Sequence, residues 1–363
     1  MNTQQTVFVG LSGGVDSSVA ALRLLKEGYN VVGVFIKVWQ PDWLDCAWEQ
    51  ERLDAMRVAA KLDIPFFTCD AEKEYKDDVA DYFIDSYKKG LTPNPDVMCN
   101  KYVKFGAFLK FAKEKGADFI ATGHYAQRIE SKGCYPLLSE MHRGVDTGKD
   151  QTYFLWTLTQ EQLSKTLFPV GNSPKKQIRK EASDAGLLTA DKKDSQGVCF
   201  LGHIDIPEFL SHYIDLVDGD VLNEDGEAIG THKGALVYTT GQRHGFTITS
   251  QNHQRTALYV ISRDLKRNTI TVGNLKKQTA LALMLTLSDI HFIDSLPEIS
   301  QIFQLQTRYR QTPVTCKVTK INQSQITLEV LEKIDTPALG QSCVLYDDAH
   351  CLGGGIISEC HSL

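Results

Sequence analysis

The feature that most constrains this fold is a glycine-rich segment between an apolar run and a helical pattern near the N-terminus. Residues 6–11 read TVFVGL, SGGVDSS follows at 12–18, and an Ala/Leu alternation then runs to Gly28. An apolar run, glycines and a helical period closed by glycine predict a strand, a tight loop and a helix.

The same order recurs through the first half of the chain. Apolar runs at 30–38, 65–69 and 117–122 alternate with helical patterns at about 46–62, 74–89 and 103–115. Strands that alternate with helices of this length form right-handed βαβ units around a parallel sheet. We expect an α/β domain with a doubly wound parallel sheet.

The second half of the chain changes character twice. Residues 159–188 are helical in pattern, with Ser173-Pro174 as a start and Gly186 as a stop. Asp225-Gly226 predicts a hairpin, and strand patterns recur at 235–239, 257–261 and 268–272. Further strand patterns lie at 281–287, 301–307, 314–320, 325–331, 342–346 and 354–358. We therefore expect an α/β domain at 1–204, a small β-rich domain at 205–276 and a C-terminal domain at 277–363 that is a small β-barrel or sandwich.

Composition excludes several classes of protein. The 363 residues include nine cysteines, an odd number without a Cys-x-x-Cys pair, which argues against a secreted disulfide scaffold. No apolar run is long enough for a membrane span, and the N-terminus lacks a signal peptide's basic region. We expect a cytoplasmic protein. The net charge of −6 leaves RNA open as a partner, because Lys175–Lys180 could form a basic backbone clamp on an acidic chain.

The glycine loop is a candidate anion site. Loop amides and the N-terminus of the following helix together attract phosphate, although a plain turn capped by Ser17 would have the same sequence. The loop lacks the lysine of a Walker loop and the GxGxxG of a dinucleotide fingerprint.

The SGGxDS pattern resembles the signature of the ATP pyrophosphatase (PP-loop) superfamily, whose members cleave ATP between the α and β phosphates. The resemblance implies that Asp16 helps to position Mg²⁺. It also implies a set of residues that hold the pyrophosphate of ATP: Gly10, Leu11, Ser12, Gly13, Gly14, Val15, Asp16 and Ser17.

Two cysteines differ from the other seven in their surroundings. Cys99 ends TPNPDVMC, three residues after Asp96, and Cys199 lies in DSQGVCF. Loop positions beside polar residues favour a reactive thiol, whereas a lone cysteine is more often a small apolar side chain.

The whole chain resembles one family within this superfamily, the tRNA-specific 2-thiouridylases. The motifs that carry the resemblance are SGGVDSS, TPNPDVMCN, ATGHYA, KDQTYFLW, KKDSQGVCF, TRYRQ and CLGGGII. The resemblance implies that ATP adenylates the C2 oxygen of the wobble uridine of tRNA, that Cys199 carries the incoming sulfur as a persulfide, and that Asp96 is a general acid/base. Cys99 would form a transient disulfide with Cys199, either by freeing the sulfur or by resolving an adduct after direct attack. An iron–sulfur cluster is left open.

The resemblance also implies binding residues. Asn94, Pro95 and Asp96 would line the pocket for the target base, with Gly123 and Ile36 near the nucleotide; the family often has methionine at the position of Ile36. The residues implied to contact tRNA are His124, Lys149, Asp150, Gln151, Arg308, Tyr309 and Gln341. Because a stacked uridine hides C2, the nucleotide must be extruded.

The implied partners are tRNAs for lysine, glutamate and glutamine, and a cysteine desulfurase or sulfur-relay protein as persulfide donor. Two other functions compete with this hypothesis. An amide-forming PP-loop synthetase would need no cysteine pair, and a non-catalytic RNA-binding protein would release no pyrophosphate.

Overall fold

In a computed structural model of the chain, the structure describes residues 4–44, 48–131, 138–193, 205–250, 257–274, 279–280 and 283–362. In those ranges we find no helix long and apolar enough to cross a bilayer. The predicted boundary near 204 and that near 276 both fall outside the described residues, so the limits of the three domains stay predictions.

The N-terminal part is built on a parallel sheet. Its strands are β1 (Thr6–Gly10), β2 (Asn30–Lys37), β3 (Phe66–Asp70), β4 (Phe119–Ala121), β5 (Ala126–Glu130), β6 (Ser139–Arg143) and β7 (Thr166–Leu167). Five of them pair in the order β3-β2-β1-β4-β7, and every pairing is parallel. Because β1 has β2 on one side and β4 on the other, the strand order reverses there, which is where such sheets bind ligands.

Helices cover both faces of this sheet. They are α1 (Val15–Lys26), α2 (Trp48–Leu62), α3 (Glu72–Tyr75), α4 (Asp81–Lys88), α5 (Pro95–Met98), α6 (Phe108–Glu114), α7 (Gln160–Ser164) and α8 (Lys175–Asp184). Side chains of β1 alternate between the two layers: Val7 and Val9 pack with α1 and α2, whereas Phe8 packs with α4 and α6. The alternation follows from the two-residue period of a strand and confirms the doubly wound fold.

Two π-helical segments lie within this domain. Lys76–Ala80 joins α3 to α4, and Cys99–Ala107 joins α5 to α6. The sequence patterns predict ordinary helices at about 74–89 and 103–115, so they indicate neither π-helical segment. π-helical turns are frequent at functional sites.

The central domain contains a five-stranded sheet. Its elements are α9 (Ile206–Ser211), β8 (Gly219–Leu222), β9 (Ala228–His232), β10 (Phe246–Ile248), β11 (Tyr259–Asp264) and β12 (Thr269–Gly273). The strand order is β10-β9-β8-β12-β11. The predicted hairpin is confirmed, since β8 and β9 are antiparallel and Gly226 adopts a positive φ of 82° in the turn.

The strand expected at 235–239 is wrong. Ala235–Val237 forms a 3₁₀ turn instead. Its backbone is satisfied by side chains: the Ala235 amide donates to Asn268, and Arg263 donates to the carbonyls of Leu236 and Tyr238. These contacts replace the ladder hydrogen bonds that a strand would need.

The C-terminal part is a closed barrel, one of the two architectures that the sequence predicts. Its strands are β13 (Thr279–Ala280), β14 (Leu283–Phe292), β15 (Ile302–Gln306), β16 (Val314–Ile321), β17 (Ile326–Val330), β18 (Ile334–Asp335), β19 (Ser342–Asp347) and β20 (His350–Ser362). The barrel order is β14-β17-β16-β15-β19-β20, and an antiparallel β14–β20 pairing closes it. Leu285, Leu328 and Leu345 lie fully buried in its core.

One hairpin connects the first domain to the barrel. Strands β5 and β6 are antiparallel, and β6 pairs with β20 through His142 opposite His350 and Met141 opposite Cys351. The hairpin therefore extends the barrel sheet although its sequence lies between β4 and β7. The sequence analysis does not predict this hairpin.

Candidate active site

The glycine loop adopts a geometry that suits an anion. Gly14 caps α1 without a side-chain cap hydrogen bond, and Ser17 folds back so that its Oγ donates to the Gly14 carbonyl at 3.2 Å and accepts from the Ser12 amide at 3.3 Å. Gly13 has a φ of 69°, and a Cβ added there would lie 2.8 Å from the Glu51 carbonyl oxygen. Glycine is therefore required at position 13 both by its backbone angle and by close packing.

A second loop closes against the first because β1 and β4 are neighbours. A Cβ added at Gly123, just after β4, would lie 2.7 Å from the Ser17 backbone nitrogen. Gly10 faces Ile36 Cδ1, 3.7 Å from an added Cβ. The structure thus brings Gly10–Ser17, Gly123 and Ile36 together, and their contact with a nucleotide stays a prediction.

The Asp16 carboxylate carries contacts that the sequence analysis misses. Both of its oxygens lie 2.7 Å from Lys175 Nζ, and the Tyr125 hydroxyl donates to Oδ1 at 2.7 Å. A single carboxylate together with substrate phosphates is a common way to hold Mg²⁺, so Asp16 fits that ion.

The hypothesised clamp at Lys175–Lys180 is only partly exposed. Lys175 pairs with Asp16, and Arg179 donates to the carbonyls of Ala190 and Lys192. The helical pattern does not predict that Lys175 and Arg179 are paired, because their partners lie outside this helix.

The loop that carries Cys99 ends in a short helix. Asn94 is the N-cap of α5, and its side chain accepts from the Val97 amide at 3.4 Å, with Pro95 at the first helical position. Cys99 is the first residue of the π-helical segment and is 3% exposed. Asn100 donates to the Phe154 carbonyl at 3.0 Å and fixes the start of that segment.

Asp96 lies half-buried one turn before Cys99. Burial raises the pKa of the Asp96 carboxyl, and the Lys104 ammonium partly offsets the effect. A carboxyl with a raised pKa holds a proton more readily, which suits a general acid. The sequence analysis does not single out Lys104. The sequence places this cation eight residues after Asp96, and a helix that begins before the predicted start at about 103 would bring the two together.

His124, which follows strand β4, is a buried residue. It is 8% exposed, its Nδ1 lies 2.8 Å from Thr122 Oγ1, and its ring centroid lies 5.8 Å from that of Phe105. Burial, with a smaller effect of Lys104, lowers the pKa of His124 well below its usual value. The imidazole is therefore neutral at pH 7, and its predicted approach to RNA is not tested.

Of the two candidate cysteines, Cys99 lies among the described residues. Cys199 lies in 194–204, outside the described residues. The chain that leads to it starts beside the glycine loop, because Lys192 Nζ lies 2.8 Å from Asp54 Oδ2 and Asp54 Cβ lies 2.9 Å from a Cβ added at Gly13.

Both other domains hold the start of the Cys99 loop. From the barrel, Leu339 O accepts from the Thr92 amide at 2.8 Å, and Gln341 Nε2 donates to the carbonyls of Thr92 at 2.8 Å and Pro93 at 3.2 Å. From the central domain, Thr239 Oγ1 lies 3.0 Å from Thr92 Oγ1. Gln341, predicted to contact RNA, thus positions this loop as well.

A cleft opens at the same junction. It measures about 270 Å³ and is lined from the central domain by Thr239 and from the barrel by Arg308 and Gln341. Arg308 is exposed, with NH2 3.3 Å from Asp335 Oδ2. Tyr309 lies with its ring centroid 4.6 Å from that of Phe154.

The segment 149–151 has a structural role that its motif does not reveal. Asp150 is 9% exposed, and its carboxylate accepts from Arg143 NH1 at 3.0 Å, the Gly144 amide at 3.0 Å and Thr152 Oγ1 at 3.0 Å. Gln151 Oε1 accepts from the Tyr125 amide at 3.0 Å. Lys149 is half-buried. Their contacts with tRNA stay predictions.

Three family profiles match successive parts of the chain. They are described as a tRNA methyl transferase HUP domain over residues 5–203, a tRNA methyl transferase PRC-barrel domain over 207–274 and an aminomethyltransferase beta-barrel domain over 283–357.

Curated relatives match over nearly the full length. The tRNA-specific 2-thiouridylase MnmA of Idiomarina loihiensis is 42% identical, with 99% of this chain and 97% of the relative covered. That of Streptococcus thermophilus is 44% identical, with the same coverage. Among solved structures, a 4-thiouridine synthetase–RNA complex with bound ATP is 20% identical over 57% of this chain and 50% of that chain. Its TM-score of 0.34 is too low to support an argument.

Proposed function

This chain belongs to the tRNA-specific 2-thiouridylase family, and we therefore propose that it is an enzyme that replaces the C2 oxygen of a tRNA uridine with sulfur, at the expense of ATP. The relatives' names supply the substrate class. The rest of the proposal depends on the residues of this chain and on what chemistry they can perform.

One observation carries the proposal. Contacts run without a break from the glycine loop to Cys99: Gly123 abuts Ser17, His124 follows Gly123 and packs on Phe105, and Phe105 lies in the π-helical segment that begins at Cys99. The glycine loop, which we propose binds the nucleotide, and the Cys99 thiol therefore belong to one continuously packed part of the first domain.

We propose that the glycine loop binds ATP at Gly10–Ser17. The C2 oxygen of uridine attacks the α phosphorus, the bond to the β phosphate breaks, and pyrophosphate leaves. Asp16 would hold Mg²⁺, which neutralises charge on the phosphates when it is bound. The adenylated oxygen is then a good leaving group, which the carbonyl oxygen is not.

Sulfur transfer then requires two thiols. In one order, the Cys99 thiolate attacks the Cys199 sulfur of a Cys199 persulfide, forms the Cys99–Cys199 disulfide and releases hydrosulfide, which displaces AMP from C2. In the other, the terminal sulfur of the persulfide displaces AMP first, and Cys99 then attacks the Cys199 sulfur and frees the thiolated base. Both orders end with the same disulfide, which an external dithiol, or two thiols, must reduce with two electrons and two protons.

Asp96 is proposed to exchange a proton with the target base, which Asn94 and Pro95 would help to hold. The proposed tRNA contacts are His124, Lys149, Asp150, Gln151, Arg308, Tyr309 and Gln341. The proposed partners are tRNAs for lysine, glutamate and glutamine, and a cysteine desulfurase or sulfur-relay protein as donor.

An iron–sulfur cluster would need several cysteines in one place. In the part of the chain that the structure describes, no three cysteines converge as ligands. We propose that the sulfur is carried by the thiols of Cys99 and Cys199.

The test is a thiolation assay with ATP, Mg²⁺, a persulfide donor and unmodified tRNA, read by mass spectrometry of 2-thiouridine. We expect Cys99→Ser and Cys199→Ser each to abolish product, whereas Cys360→Ser, a change of a half-buried cysteine at the end of the barrel, keeps it. Full activity of both cysteine variants would contradict the mechanism. Pyrophosphate release that needs no tRNA would indicate an amide-forming synthetase, and tRNA binding without any pyrophosphate release would indicate a binding protein.

A further inference from the structure

A group of metal-ligand side chains lies away from the active site, between hairpin β5–β6 and strand β20. Glu140, His142 and His350 each offer a ligand atom, and these atoms all lie within 4.8 Å of one another. None of the three takes part in the proposed reaction. All three are half-buried.

Backbone geometry brings the three together. Glu140 and His142 are two residues apart on β6, so both side chains leave the same face of the strand. His142 is directly opposite His350 in the β6–β20 pairing, and the two imidazole rings stack with centroids 5.0 Å apart and planes 7° apart. Glu140 Oε2 lies 2.9 Å from His142 Nε2.

A fourth group lies next to His350, outside the three whose ligand atoms all approach within 4.8 Å. Asp294, two residues after β14, places Oδ2 3.0 Å from His350 Nε2. Its other oxygen, Oδ1, accepts from Gln160 Nε2 at 2.6 Å, and Gln160 Oε1 in turn accepts from the Ser139 amide at 3.0 Å. Such outer hydrogen bonds hold the carboxylates of metal sites in a fixed orientation.

We propose that Glu140, His142, His350 and Asp294 bind one divalent transition-metal ion, zinc by ligand chemistry, which fastens hairpin β5–β6 to the barrel. Two imidazoles and two carboxylates are a typical donor set for Zn²⁺, whereas Mg²⁺ and Ca²⁺ prefer oxygen alone. Ligand atoms around a tetrahedral zinc are about 3.4 Å apart, so Glu140, His142 and His350 need only small side-chain rotations. Asp294, which now approaches His350 alone, must turn toward the other two ligands to complete the coordination.

The position of the site gives it a consequence. Glu140 and His142 belong to a hairpin inserted in the first domain, whereas His350 and Asp294 belong to the barrel. A metal ion here would cross-link the two domains near Arg143, whose guanidinium lies 3.5 Å from the Tyr346 ring centroid of the barrel. The ion would stabilise the folded chain because the unfolded chain cannot assemble the site.

The test uses the full chain, treated with chelator under reducing conditions, and Co²⁺ as a spectroscopic probe for Zn²⁺. We expect one Co²⁺ per chain, visible d–d absorption without sulfur-to-cobalt charge transfer, and a melting temperature that rises with the metal concentration. His350→Gln should abolish all three. His361→Gln, at an exposed histidine on the same strand, should leave them unchanged.

Further variants distinguish metal binding from a purely structural role. Asp294→Asn should weaken Co²⁺ affinity by about 10- to 100-fold. Metal-free melting of every variant is measured alongside, and if His350→Gln does not fold, Asp294→Asn and Glu140→Gln decide the matter. Equal Co²⁺ binding by wild type and by the folded variants would overturn the proposal, as would spectra that show thiolate ligands alone or wild-type protein that binds no Co²⁺.

Discussion

The glycine loop and the Cys99 loop reach the same site by different means. The glycine loop is held by its own neighbours: β1, α1 and the close approach of Gly13 to α2. The Cys99 loop is held at Thr92 by side chains from the barrel and from the central domain. The comparison teaches that the proposed nucleotide half of the site is built within the first domain, whereas the thiol half depends on how three domains meet.

The largest effect is expected from a substitution in the glycine loop, the proposed nucleotide half of the site. Gly13→Ala adds a Cβ 2.8 Å from a backbone oxygen at a φ of 69°, so it should reduce pyrophosphate release to background and cost more than about 2 kcal/mol of unfolding free energy. Gly28→Ala is the matched control, since φ is 89° there but nothing lies within 4 Å of the added Cβ. It should cost about 1–2 kcal/mol and keep activity. Equal loss of activity in both variants would refute the local packing argument.

The next effect tests the raised pKa of Asp96, which lies beside Cys99 in the thiol half of the site. Asp96→Asn should lower thiolation by about 10²-fold or more. Because the folded pKa of Asp96 is raised, the folded state binds its proton more tightly, so its contribution to stability falls as pH rises from the unfolded pKa near 3.9 through the folded value. Above that window the ionised group is destabilising, and Asp96→Asn should remove the penalty.

Glu181 provides a control of opposite sign. A hydrogen bond from Arg23 lowers the pKa of the Glu181 carboxyl, so its stabilisation is present above the unfolded pKa and is lost as pH falls through the folded value. Urea midpoints between pH 4 and 7 for Glu181→Gln should therefore fall below wild type at the neutral end. If the urea midpoints of wild type and of Asp96→Asn changed equally with pH, the raised pKa of Asp96 would be contradicted.

A smaller effect tests the clamp from the barrel. Gln341→Ala removes two hydrogen bonds to the Thr92 and Pro93 carbonyls, each worth about 1 kcal/mol, and should lower thiolation by about tenfold. Equilibrium binding of ATP should not change, because the glycine loop does not depend on the barrel. The exposed Gln325→Ala is the control, and a loss of ATP affinity in Gln341→Ala would break the distinction between the two halves.

The smallest effect concerns the exposed rim of the cleft. Arg308→Ala should change unfolding free energy by less than about 0.5 kcal/mol, since its pair with Asp335 is exposed. If Arg308 meets a tRNA phosphate, affinity should fall and the slope of log affinity against log salt should become shallower by about one. Lys320→Ala, elsewhere on the barrel, should leave that slope alone.

Sequence patterns predicted the elements of the fold better than their contacts. The parallel sheet was predictable because apolar runs alternate with helical patterns, and the β8–β9 hairpin and the barrel because strand patterns recur between turn signals. The 3₁₀ turn at Ala235–Val237 was missed because Asn268 and Arg263 supply its hydrogen bonds from a distance. Hairpin β5–β6 was missed because its partner strand lies about two hundred residues later in the chain.

Within the candidate site, the sequence named the residue types but not their partners. Asp16 was singled out, yet its pairing with Lys175 joins residues 159 positions apart. Asp150 was expected at the RNA, yet its carboxylate is occupied by Arg143, Gly144 and Thr152. A motif indicates that a side chain is required, but it does not indicate whether that side chain contacts a ligand or stabilises the surrounding fold.

The sequence by itself determined the strand, loop and helix around SGGVDSS, the series of βαβ units and the barrel strands. These follow from backbone preference and short-period burial, both of which act between residues close along the chain. Only the tertiary structure decided that Thr92 is held by two other domains, that Lys175 meets Asp16, and that His142 stacks on His350. Such pairs are set by how whole sheets and helices pack, and that packing leaves no periodic trace in the sequence.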